Sequence, residues 1–184
     1  GADGRIFVGG GGRGYLTMTG GTLNGLALTV AGENVATGSG TSLVDLSGSA
    51  TVNITGATGV TGLTNIARRL QITGPNVNFT TQRNLRLEST AQLVENITSS
   101  SAHSPLKTNA AAILGGTLSV NFSGAGATHV PGQTWNLIDA AGAITGNFSN
   151  VPAGTDVPVT GATAPVGAAY RLAKVPGPSS HTLL

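Results

Sequence analysis

The sequence predicts an all-β chain wound as a parallel β-helix, a solenoid of about 25 residues per coil. Three observations predict it. A five-residue phrase returns five times, as Val52-Asn53-Ile54-Thr55-Gly56, Val77-Asn78-Phe79-Thr80-Thr81, Glu95-Asn96-Ile97-Thr98-Ser99, Val120-Asn121-Phe122-Ser123-Gly124 and Gly146-Asn147-Phe148-Ser149-Asn150, with central apolar residues 25, 18, 25 and 26 apart. Most copies alternate apolar and polar residues and then break at a small one, as a strand with one buried face and a turn at its end requires. Helical spacing of apolar residues is nearly absent, because Gly or β-branched residues interrupt almost every window. The short runs 63–70 and 109–114 are the only helix candidates.

Taken in order, Gly4-Arg5 leads straight into the apolar strand Ile6-Phe7-Val8, with no amphipathic helix ahead of it to cap a sheet end. The glycines at 9–12 and 14 form a turning tract. One series of strands then runs Leu16-Thr17-Met18, Val44-Asp45-Leu46 and Leu70-Gln71-Ile72, with steps of 28 and 26. A second runs Leu26-Ala27-Leu28-Thr29, Val52-Asn53-Ile54-Thr55 and Val77-Asn78-Phe79-Thr80, with steps of 26 and 25. The second follows the first within each period, so every coil holds at least two strands, and Leu85-Arg86-Leu87-Glu88 supplies a third. Strands stacked one coil apart at roughly 4.8 Å give about seven coils, a rod roughly 30 to 35 Å long. Ile97, 25 after Ile72, is placed in the first series, so the 18-residue step marks a change of face. Residues 1–150 form the coils, and 151–184, rich in Pro and Gly, form a cap or extended arm ending in the strand Ala169-Tyr170-Arg171-Leu172.

Composition narrows the function classes. The chain has 184 residues, of which 9% are charged, 4% aromatic and 29 are Gly, while 39% are hydrophobic. That hydrophobicity separates it from disordered chains, so Gly, Ser and Thr read as turns and strand exteriors. A net charge of +2 is so small an imbalance that it says little about polyanion binding, and no nucleic-acid partner is expected. No apolar run reaches the length of about 20 residues that spans a membrane. A charge-poor, Thr/Ser/Asn-rich chain without cysteine suits an exported bacterial protein. Gly1-Ala2-Asp3-Gly4 carries no signal-peptide pattern.

The stretch Leu114-Gly115-Gly116-Thr117-Leu118-Ser119-Val120, Pro131-Gly132-Gln133-Thr134-Trp135-Asn136-Leu137-Ile138-Asp139 and Ile144-Thr145-Gly146-Asn147-Phe148-Ser149 resembles the closing coils of bacterial autotransporter passengers and PEP-CTERM-type surface proteins. Val175-Pro176-Gly177-Pro178-Ser179-Ser180 is similar to the start of a PEP-CTERM sorting tag, departing from it at Gly177, where the family has Glu, and lacking the apolar span and basic cluster. The resemblance implies a right-handed β-helix with an irregular β-rich end, exported through a Gram-negative envelope to the cell surface. Such families share architecture without sharing one activity.

Candidate chemistry is sparse. The acidic residues Asp3, Glu33, Asp45, Glu88, Glu95, Asp139 and Asp156 are dispersed, with only Asp45 and Glu95 projecting to one side, about two coils apart. His103, His129 and His181 are isolated and read as loop residues, so no metal, cofactor or catalytic group is assigned. The Gly tract lacks the Lys-Ser/Thr of a phosphate loop, and Thr17 and Thr19 are not repeated on every coil as ice binding requires. Asn53, Asn78, Asn96, Asn121 and Asn147 open formal glycosylation sequons. They read as coil markers, a stacked Asn and hydroxyl column bonding its neighbours, with glycans on an exposed face as the alternative. Arg68, Arg69, Arg83 and Arg86 form the one charge cluster, a contact for an acidic glycan or a neighbouring subunit, or else a solvated face. Trp135 closes the core at the carboxyl end.

These readings lead to a non-enzymatic structural protein of a bacterial surface, a filament, sheath or matrix subunit that self-associates end to end through β-edges. The alternatives are a glycan-binding or polysaccharide-degrading β-helix, and an adhesin passenger fragment.

Overall fold

The computed structural model describes residues 4–9, 12–31, 41–56, 64–128, 132–152, 155–161, 170–175 and 179–183. Asp3, Glu33, His129 and most of the Pro/Gly positions after 160 lie outside them.

Short strands follow one another in rounds of three. The first round is β1 (Arg5–Val8), β2 (Tyr15–Met18) and β3 (Thr22–Gly25), and the second β4 (Ala27–Val30), β5 (Leu43–Leu46) and β6 (Thr51–Ile54). The third is β7 (Thr64–Ile66), β8 (Arg69–Thr73) and β9 (Asn78–Thr81), and the fourth β10 (Leu85–Leu87), β11 (Gln92–Ile97) and β12 (Leu106–Thr108). The fifth is β13 (Ala112–Leu114), β14 (Thr117–Phe122) and β15 (Trp135–Ala140), followed by β16 (Ile144–Gly146), β17 (Val159–Thr160), β18 (Leu172–Val175) and β19 (Ser179–Leu183). Every third strand returns to the same sheet. The first sheet is β1-β4-β7-β10-β13-β16, the second β2-β5-β8-β11-β14-β17 and the third β3-β6-β9-β12-β15-β19-β18. All neighbours are parallel except β15 with β19 and β19 with β18, an arrangement consistent with a β-solenoid.

The period-2 alternation explains the shared core. On the second sheet, Leu16, Val44, Leu70, Leu93 and Leu118 sit in one register column, and Met18, Leu46 and Ile72 in the next. Val52, Phe79, Leu106 and Ile138 form a column on the third sheet, and Val8, Val30, Ile66 and Leu87 on the first. The columns converge in one apolar core. Each fully buried Val, Leu or Ile contributes about 1.5 to 3 kcal/mol. Tight corners set the rounds: Gly48, at φ +59°, turns β5 into β6, and a Cβ there would collide with the carbonyl of Thr19 one round earlier.

The register both matches and corrects the sequence reading. Leu16, Val44 and Leu70 do follow one another in steps of 28 and 26. Leu26-Ala27-Leu28-Thr29 belongs to the first sheet, and the true predecessor of Val52 is Leu23. Phe79 pairs with Val52, not Ile54. Ile72 faces Glu95, so Ile97 is not its successor and pairs with Phe122 instead. Spacing drifts because the corners differ in length: successive partners lie 21 residues apart at Thr64 and Leu85 but 36 at Leu28 and Thr64. Among the described residues the first sheet has six strands, against the seven coils that the period predicts. The two helix candidates contain strands β7 and β13 and the start of β8, and the only helical turn among the described residues is the 3₁₀ segment Gly124–Ala127.

The two ends differ. At the carboxyl end, β19 runs antiparallel onto β15, and the Trp135 and Tyr170 rings lie 5.1 and 5.4 Å from Phe122. At the other end, Ile6, Leu16, Met18 and Leu23 pack on the core only partly buried, and Phe7 is 59% exposed.

Candidate functional site

Sheet exteriors carry the polar side chains that the alternation excludes from the core. On the second sheet, the leading residues Tyr15, Leu43, Arg69 and Gln92 stand in register on four successive rungs. Beside this row, where the first sheet turns into the second, lies an open cleft of about 360 Å³. Its outer wall includes Tyr15, 66% exposed, whose hydroxyl shares a 3.3 Å hydrogen bond with Thr41 Oγ1. Ser42 and Arg68 form its floor. Ser42 Oγ donates to the Ala31 carbonyl at 2.9 Å and accepts from the Gly14 amide at 3.2 Å. Arg68 is 7% exposed, and its Nη1 donates to the Ala67 carbonyl at 2.7 Å and to Thr90 Oγ1 at 3.1 Å. Arg69 is exposed; its Nη2 donates to Gln71 Oε1 at 2.7 Å, and Gln71 Nε2 donates to Asp45 Oδ1 at 3.0 Å.

Only two of the four arginines singled out in the sequence share this cleft. Arg83 lies in the corner between β9 and β10, its stem beneath Gly56, and Arg86 lies on the outer face of the first sheet, paired with Glu88 at 2.9 Å. Arg68 and Arg69 are consecutive, the first in the corner after β7 and the second opening β8; Arg83 and Arg86 sit half a round or more further along the chain.

The asparagines fall on different sheets. Asn96 and Asn121 lie on the second, in a ladder: Asn96 Nδ2 donates to Thr73 Oγ1 at 2.9 Å, Asn121 Nδ2 to Asn96 Oδ1 at 2.9 Å and Thr160 Oγ1 to Asn121 Oδ1 at 2.5 Å. Asn53, on the third, donates to Asn24 Oδ1 at 3.0 Å, while Asn78, one round on, accepts from Thr80 at 3.3 Å. Asn147 is exposed just after β16.

A second polar group lies in the core. Glu95 occupies the column between Ile72 and Val120, where every other member is apolar. Its Oε2 meets His103 Nε2 at 2.7 Å, and both side chains are fully buried. Burial raises the Glu95 carboxyl above its ordinary range, while the hydrogen bond and charge of His103 act in the opposite direction. Glu95 Oε1, His103 Nδ1 and Ser104 Oγ are buried without a hydrogen-bond partner. Asp45 therefore does not share a side with Glu95: it pairs outward with Gln71, whose next partner is Val94. His103 is in a loop, as its isolation suggested, but it points inward as the partner of a carboxylate. The loop is held from the next round by Trp135, whose Nε1 donates to the Ser99 carbonyl at 3.1 Å. No group of three or more His, Cys, Asp or Glu able to hold a metal occurs among the described residues. No described helix is long and apolar enough to cross a membrane.

Comparisons with family models, with curated proteins and with solved structures return no match to this chain.

Proposed function

We propose that the chain is a non-enzymatic structural protein of a Gram-negative cell surface, a right-handed parallel β-helix that assembles through its β-edges into a filament, sheath or matrix. The observation that carries this reading is the end formed by β1, β2 and β3. Among the described residues each of these strands pairs on one side only, and Ile6, Leu16, Met18 and Leu23 leave the end of the core partly uncovered. Unpaired backbone groups over an uncovered apolar layer suit the addition of another β-strand layer. The low charge of the chain, and the dispersal of its carboxylates over different faces, agree with a scaffold better than with acid–base catalysis. Export by an autotransporter or PEP-CTERM route is part of the proposal, resting on the resemblance at 114–151 and 175–184.

Light scattering and negative-stain microscopy over a range of protein concentrations test it. Assembly that is weakened by Phe7→Lys, a charge placed on the β1 edge, is the expected result. Particles that stay short and monodisperse under every condition overturn it.

A second reading, glycan binding, is favoured by one observation: a cleft whose lining includes both an exposed Tyr15 and Arg69.

A further inference from the structure

We propose that the Tyr15–Arg69 cleft binds a carboxylated sugar unit within an acidic polysaccharide. The proposal rests on the glycan-binding reading above and names its ligand class. The cleft's volume of about 360 Å³ falls at the lower end of the range of small-ligand sites. Its walls supply the two kinds of contact that a uronic acid offers. Tyr15 presents an exposed ring, tethered at its hydroxyl by Thr41, as a platform for the apolar face of a pyranose. Arg69 presents a planar guanidinium whose fork matches a carboxylate, and no described carboxylate lies within ion-pair distance of it. Asp45 reaches it only through Gln71, which orients the fork and leaves its remaining donors facing outward.

Charge bias adds to shape. The described lining holds two arginines and no acidic residue, in a chain with only 9% charged residues. Arg68, fixed beneath by Ala67 and Thr90, adds positive potential from the floor. The extended form of the site favours a polymer over a single small anion. Tyr15, Arg69 and Gln92 occupy the first, third and fourth rungs of one row, roughly 15 Å of sheet, so neighbouring sugar units lie along a line of contacts.

Isothermal titration of the full chain with tetragalacturonate, with the same tetramer after reduction of its carboxyls to neutral galactose units, and with inorganic sulfate tests the proposal. Tetragalacturonate is expected to bind saturably, at least about tenfold more tightly than the neutral tetramer and than sulfate, and more weakly as salt is added. Arg69→Gln is expected to lose about tenfold or more in affinity, and Tyr15→Ala to lose severalfold, both side chains being exposed enough for the fold to persist. Lys107→Gln, on the third sheet, leaves binding unchanged. Equal binding of the neutral tetramer overturns the acidic-sugar assignment while keeping the glycan-binding reading. Silence toward both tetramers removes that reading as well. Sulfate bound as tightly as the acid tetramer, or wild-type affinity in a folded Arg69→Gln chain, also overturns the assignment.

Discussion

Glu95 and His103 meet at 2.7 Å inside the core, on a column whose other members are apolar. A carboxylate in that position is stable only with a partner, because uncompensated burial of one charge costs several kcal/mol. His103→Ala is therefore expected to destabilise the fold by about 3 to 5 kcal/mol. The double change Glu95→Leu with His103→Leu, which removes both polar groups, is expected to cost much less. Urea unfolding of the single and double variants gives the comparison; equal losses would mean that the pair is not coupled.

The same pair predicts a pH dependence. Burial raises the folded-state Glu95 carboxyl above its ordinary value of 4.5, so the folded chain holds a proton that the unfolded chain has already released. The stability contribution is complete below 4.5 and is lost as pH rises from there through the raised folded value. Thermal melts from about pH 4 to about pH 8 are expected to show wild type losing stability relative to Glu95→Gln as pH rises. Parallel pH profiles for the two proteins would refute this.

Gly116 takes φ +69°, and a Cβ there would strike the backbone of Ala91 one round below. Gly116→Ala combines left-handed strain with that collision and is expected to cost about 2 kcal/mol or more. Gly12 has nothing within 4 Å of a Cβ, so Gly12→Ala is expected to stay within about 0.5 kcal/mol of wild type. Calorimetric melting of both variants distinguishes the effects.

Asn121 bonds both Asn96 and Thr160, whereas Asn53 makes a single exposed bond to Asn24. Asn121→Ala is expected to cost about 1 to 2 kcal/mol and Asn53→Ala less than about 1, read by urea unfolding. If the two cost the same, the ladder adds nothing beyond its separate bonds.

Alternation and approximate period were legible in the sequence because the core demands them. The second-sheet column Leu16, Val44 and Leu70 could be read directly. Which of three sheets a strand joins could not, since Leu26-Ala27-Leu28-Thr29 and Val52-Asn53-Ile54-Thr55 alternate in the same way. Glu95 conceals its own column: the 25-residue step from Ile72 leads to Ile97, two residues beyond the Glu95 that pairs with Ile72. The signal that could have revealed it is a single His in the irregular step between Ile97 and Leu106. The arginine pair at 68 and 69 pointed to the cleft, but Tyr15, Thr41 and Gln92 join it only through pairing across 23 to 28 residues.

Pairing of the parallel strands with their equivalents one round away makes that part of the chain energetically close to one-dimensional. A lesion in one round weakens its two neighbours and little beyond them. Loss of the Glu95–His103 contact, in the fourth round, would therefore weaken chiefly the third and fifth rounds, the fifth also through the Trp135 bond to the Ser99 carbonyl.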